Sequence, residues 1–113
     1  MADVAHAEQV ADLLKAFGQV TRLAILEALR HGESCVSDLG QATGQAQSNI
    51  SKHLGFLRRA GVLAARRRGL RVFYRVAAPE VFAVLEAAQA LLARGLGPGG
   101  LRFPPGPRHA AAG

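Results

Sequence analysis

After Gly61 the spacing of the apolar residues changes from helical to a period of two, and this switch sets the architecture available to the chain. Leu70, Val72, Tyr74 and Val76 alternate with Arg71, Phe73 and Arg75, and Leu63 to Arg67 offers a partner strand across a turn at Arg68-Gly69. That pattern predicts one β-hairpin. Upstream, the spacing is helical. Val10, Leu13, Leu14 and Phe17 mark a first helix over 8–17, stopped at Gly18. Thr21 is the expected cap of a second helix, whose stripe of Leu23, Ile25, Leu26 and Leu29 closes at His31 and Gly32. A short third helix from Cys35 to Thr43 ends at Gly44, and a fourth from Gln47 to Ala60 repeats Ile50, Leu54 and Leu57 on one face. Helix, tight glycine-containing turn, helix is the outline of a helix-turn-helix. Beyond the hairpin, Pro79 and Glu80 open a last helix bearing Val81, Phe82, Leu85, Ala88 and Leu92. The predicted fold is mostly α with a small β-hairpin: four helices, two strands and a final helix.

A chain of 113 residues has room for one domain. Residues 1–94 are expected to form it. From Gly95 onward ten of nineteen residues are Gly or Pro, so 95–113 is expected to be a disordered tail. No apolar run approaches the roughly 18 to 20 residues that a membrane span requires, and the opening MADVAHAEQV lacks the basic-then-apolar order of a signal peptide. A soluble, cytoplasmic protein without a membrane partner is expected. The single cysteine excludes an internal disulfide and a four-cysteine zinc framework within one chain.

The charge is unevenly placed. Met1 to Ala46 carries three basic and six acidic residues, whereas Gln47 to Pro79 carries eight basic residues and no acid. A solvated face mixes signs; an acid-free segment of this length points to a phosphate backbone as its partner. Gln47, Ser48, Asn49, Ser51 and Lys52 fall at the N-terminal turns of the fourth helix. Amide side chains can pair bidentately with adenine in the major groove, hydroxyls can read a base or a phosphate, and Lys52 can reach a guanine edge or a phosphate. Arg66, Arg67, Arg68 and Arg71 lie where the hairpin would meet flanking phosphates or a minor groove. Arg58, Arg59 and Arg75 are divided between that role and intramolecular pairs.

Three strings in order resemble the ArsR/SmtB family of bacterial repressors: Phe17-Gly18-Gln19-Val20-Thr21-Arg22-Leu23-Ala24-Ile25-Leu26, then Gln47-Ser48-Asn49-Ile50-Ser51-Lys52-His53-Leu54 with Ala60-Gly61-Val62-Leu63, and the wing string Arg68 to Val76. The resemblance covers roughly residues 8 to 94. It implies a winged helix-turn-helix in a homodimeric DNA-binding repressor, released from its operator by a small inducer, usually a metal ion or a redox-active sulfur species. It also implies a place near DNA for His53, against which stands the commoner packing of such a histidine within its own helix. Where the family often caps the fourth helix with Ser or Thr, this chain has Ala46. Val10, Leu13 and Leu14 in the first helix, with Val81, Leu85, Ala88 and Leu92 in the last, exceed what a thin winged-helix core covers. A second copy is the expected lid, and two copies would engage a palindromic operator.

Glu33-Ser34-Cys35-Val36-Ser37-Asp38-Leu39 resembles the family's thiol-rich string, with Ser37 in place of the second thiol. One thiol and a hydroxyl make a poor soft-metal site, so no metal site or cofactor is assigned, although His31, Glu33, Asp38 or the other subunit could complete one. Two readings of Cys35 remain: a small packed side chain, or a sensor thiol at the N-cap of the third helix, where the helix dipole favours a thiolate and Asp38 opposes it. An enzyme has no support, because the chain contains no phosphate loop, no H-E-x-x-H and no persuasive base for its cysteine. The alternative function is a winged-helix protein-interaction module, which the acid-free stretch argues against.

Overall fold

Five helices and one hairpin follow one another: α1 Val4–Lys15, α2 Val20–Ala28, α3 Val36–Thr43, α4 Gln47–Arg59, β1 Leu63–Arg68, β2 Arg71–Val76 and α5 Glu80–Ala93, with a 3-10 turn over Leu29–His31. This computed structural model describes residues 4–95, so the expected tail after Gly95 lies outside the described residues. The chain clusters into two units, one ending at Val81 and the other starting at Phe82. No described helix is long and apolar enough to cross a membrane.

In the first unit Ile25 and Leu26 of α2, Leu39 of α3, and Ile50, Leu54 and Leu57 of α4 are fully buried, and Val62 ahead of β1 is nearly so. Each such burial is worth about 1.5–3 kcal/mol, and together they bind three short helices that could not persist alone. The stripe predicted for α1 stays outside this core: Val10, Leu13 and Leu14 are 42–49% exposed. In the second unit Leu91 and Leu92 of α5 are half exposed.

Several boundaries differ from those the sequence predicts, each for a local reason. The cap of α2 is Gln19, not Thr21. Its backbone is extended and its side-chain oxygen accepts the Arg22 N–H at 2.9 Å, so the longer amide satisfies the third helical donor while Thr21 is buried within the helix. At the end of α1, the N–H groups of Ala16, Phe17 and Gly18 turn back onto carbonyls three residues earlier, the tightened ending common at helix termini. The Arg22 guanidinium then donates to the Lys15 carbonyl at 3.0 Å. The hairpin loop is Gly69-Leu70, because Arg68 stays in β1 opposite Arg71. Leu70, expected in the strand, is 98% exposed at the tip.

The turn between α3 and α4 orients the fourth helix. Gly44 takes a left-handed φ of 72°, which favours glycine, and the Gln45 N–H returns to the Gly40 carbonyl at 3.2 Å. A side chain at Gly40 would meet the Gln45 carbonyl oxygen at 3.1 Å and Gln47 Cγ at 3.6 Å. This close approach delivers the chain to Gln47 at the first turn of α4.

Candidate nucleic-acid interface

The amphipathicity of α4 divides its residues by role. With Ile50, Leu54 and Leu57 inward, Gln47, Ser48, Ser51 and Lys52 are exposed and Asn49 is half-buried. Residues four apart are neighbours on a helix surface, so Gln47 lies beside Ser51 and Ser48 beside Lys52. Asn49 is partly committed, since its Nδ2 donates to Gln45 Oε1 at 2.9 Å. Ala46 holds the N-cap position and makes no side-chain cap bond. The first-turn N–H groups of α4 therefore lack a side-chain cap there.

His53 turns the other way. It is 7% exposed, on the inner side of α4 and away from the exposed amide and hydroxyl row. Its Nδ1 is buried without a hydrogen-bond partner among the described residues, as is Arg22 Nε. Burial first, then the charges of Arg22 and Lys52, push the imidazole below its ordinary value of 6.5. The same Arg22 lies 4.1 Å over the Phe56 ring, a cation–π contact joining α2 to α4. His53, for which the resemblance implies a place near DNA, is thus a packed side chain in the free protein.

In the hairpin Arg66, Arg67, Arg68 and Arg71 are all exposed, but they are not equivalent. The register pairs Arg66 with Phe73, Arg67 with Val72 and Arg68 with Arg71. Because side chains alternate across a strand and opposed residues share a face, Arg66, Arg68, Arg71, Phe73 and Arg75 lie on one face and Arg67 on the other. The Arg68 guanidinium lies 5.4 Å from the Phe73 ring centroid. Glu33 is a residue that local pattern could not associate with the hairpin. Its Oε1 and Oε2 accept from Arg66 Nε and Nη2 at 2.9 and 2.6 Å.

Cys35 is the N-cap of α3 and is buried. Its Sγ lies 3.3 Å from Ser37 Oγ and 4.0 Å from Arg71 Nη1. The Ser37 hydroxyl, and after it the Asp38 backbone, hold the thiol below its ordinary value against burial and the Asp38 charge. A pocket of about 300 Å³ is lined by Cys35, Ser37, Gln47, Arg71 and Tyr74 among others, so the thiol shares a cavity with the first residue of α4 and an arginine of β2. Among the described residues no group of three His, Cys, Asp or Glu side chains is placed to hold a metal.

The profile of bacterial regulatory proteins of the arsR family matches residues 19–64. The HTH-type transcriptional regulator Rv0081 of Mycobacterium tuberculosis is 41% identical over 85 residues, covering 74% of this chain and 75% of that protein. The homodimeric winged helix-turn-helix DNA-binding domain Mb0332 of Mycobacterium bovis, solved in solution, superposes with a TM-score of 0.73 at 33% identity, over 83% of this chain and 89% of that one. The transcriptional repressor BigR of Xylella fastidiosa gives a TM-score of 0.68 at 32% identity, over 76% and 88% of the two chains.

The buried histidine predicts an acid-sensitive core. Above pH 6.5 the imidazole is neutral in both folded and unfolded chains; below it the unfolded chain takes up the proton first, so stability falls as the pH drops from 6.5 toward the lower folded value. Urea unfolding midpoints should decline on acidification from neutral pH through this window, and His53→Gln should flatten the decline. An equal decline in both proteins would show that His53 is not the group responsible.

Proposed function

The chain belongs to the arsR family of bacterial regulatory proteins, and on that premise we propose that this transcriptional regulator is a repressor that grips a palindromic duplex operator as a homodimer and lets go when a small inducer binds. One observation carries the reading: the exposed polar row of α4 and the arginines of the hairpin fall in a single stretch, Gln47 to Pro79, that contains no acid. Gln47, Ser48, Asn49, Ser51 and Lys52 supply base-edge and phosphate chemistry from a helix N-terminus, and the exposed hairpin arginines supply sequence-independent phosphate affinity. Cytoplasmic residence follows from that partner.

The dimer is supported by the apolar residues that each unit leaves uncovered, Val10, Leu13 and Leu14 in α1 and Leu91 and Leu92 in α5, and by the homodimeric state of the Mycobacterium bovis domain. Twofold pairing would set the two α4 helices about one duplex turn, ~34 to 36 Å, apart. For the inducer, Cys35 is the assigned input. Its thiol lines the same cavity as Gln47, so an adduct there would press on the first turn of the reading helix. Since both half-sites must be held together, a displacement worth a few kcal/mol of differential affinity suffices for release.

Three outcomes test these assignments. Gln47→Ala or Ser51→Ala should reduce preference for a selected duplex, by about 1–3 kcal/mol where the contact is bidentate, whereas Arg67→Ala should weaken all duplexes alike. Equal losses on every sequence from both classes, or duplex binding indifferent to salt, would favour a protein-interaction module. Sedimentation at micromolar concentration should show a dimer of the 11.9 kDa chain; a monomer alone would contradict the twofold arrangement. Finally, an oxidant, persulfide donor or thiophilic metal should release the wild-type protein from DNA and leave Cys35→Ser bound. Equal release of both would place the sensor elsewhere.

A further inference from the structure

The segment before α3 acts as a strap across the hairpin. The Ser34 N–H donates to the Tyr74 carbonyl at 3.0 Å and the Tyr74 N–H donates back at 2.8 Å, a bridge that adds Ser34 to the free edge of β2. Its neighbour Glu33 reaches over the hairpin to β1. Arg66 meets the carboxylate with two nitrogens at 2.9 and 2.6 Å, and Arg68 Nη1 follows at 3.7 Å. The hydrogen bond from Arg66 lowers the Glu33 carboxyl most; burial, next in size, opposes it, and the charges of Arg66, Arg68 and Arg75 add to the lowering.

Glu33 is thus the counter-charge of the arginine-bearing face, and it comes from outside the acid-free stretch. A guanidinium fork already docked on a carboxylate has spent its preferred bidentate geometry, and the pair presents no net charge to a phosphate. An isolated exposed ion pair stabilises a fold very little. Its effect here lies in what it does to a surface whose other charges are positive. Arg67, on the opposite face, is engaged by no carboxylate among the described residues.

We propose that Glu33 is a positioning residue for duplex binding: it holds Arg66 as a strut between β1 and the strap, withdraws that arginine from the phosphate backbone, and leaves Arg67 and Arg71 to make the grip. The proposal rests on the duplex-binding reading above, and it predicts that the exposed arginines do not contribute equally to the salt dependence.

The test is how steeply the log binding constant falls with log salt, taken as a positive slope and measured by fluorescence anisotropy on one labelled duplex. Each phosphate contact contributes about 0.9 to that slope. Arg67→Gln should lower the slope by about 0.9. The double variant Glu33→Gln/Arg66→Gln, which removes the pair without changing net charge, should keep the wild-type slope while losing several-fold in affinity, the signature of a misplaced wing. A slope that falls in the double variant as far as in Arg67→Gln would make Arg66 a phosphate ligand and overturn the proposal alone; wild-type affinity in the double variant would also overturn it. Absence of any salt dependence in the wild type would overturn the duplex reading and this proposal with it. An independent readout needs no DNA: the carbon-13 titration midpoint of the Glu33 carboxyl in the free protein should rise in Arg66→Gln, and an unmoved midpoint would show that the pair is not formed in solution.

Discussion

The rotation of α4 about its own axis is the constraint on which the rest depends. Ile50, Leu54 and Leu57 are fully buried, and a helix with three aliphatic anchors on one stripe has one orientation that satisfies all of them. That choice points Gln47, Ser48, Ser51 and Lys52 outward and His53 inward. A rotation of one residue, about 100°, would bury polar groups and expose aliphatics. Arg22 secures the arrangement from the side: its guanidinium caps the Lys15 carbonyl at the end of α1 and covers the Phe56 ring of α4.

The wing is positioned by polar contacts where the helices use aliphatic packing. β1 and β2 pair along their full lengths, yet most hairpin residues are exposed or half-buried, so a two-stranded ribbon of this kind needs support from elsewhere. Leu63 of β1, buried in the core, supplies part of it, and the strap adds the Ser34–Tyr74 bridge and the Glu33–Arg66 pair, which position the ribbon. The strap also ends at Cys35, whose sulfur lies 4.0 Å from Arg71 Nη1. Three consecutive residues therefore touch the wing at three points, which gives a change at the thiol a short physical route to the arginines and to Gln47.

What was legible in the sequence was whatever repeats locally. The stripe of α4, the glycine ending α3 and the period-two run of the hairpin each depend on residues a few positions apart. The helix order, the turn before Gln47 and the Cys35 cap position all followed from them. What depends on distant residues was invisible. Nothing near Glu33 marks it as the partner of an arginine 33 positions away, so the sequence places Arg66 alongside the other hairpin arginines. The burial of His53 is decided by which side of α4 meets Arg22, and the Gln19 cap by how far an amide reaches past Thr21. In each case the sequence shows the residue type and not its partner.

The claim that one face of α4 and one part of the wing form a duplex-binding surface can be tested residue by residue in a single titration. Backbone amide shifts of the isotopically labelled protein, followed while a selected duplex is added, should move at Gln47 to Lys52 and at Arg67 to Arg71 and stay nearly still along the exposed apolar stripe of α1. Shifts confined to α1, with the α4 N-terminus and the wing unmoved, would contradict the account.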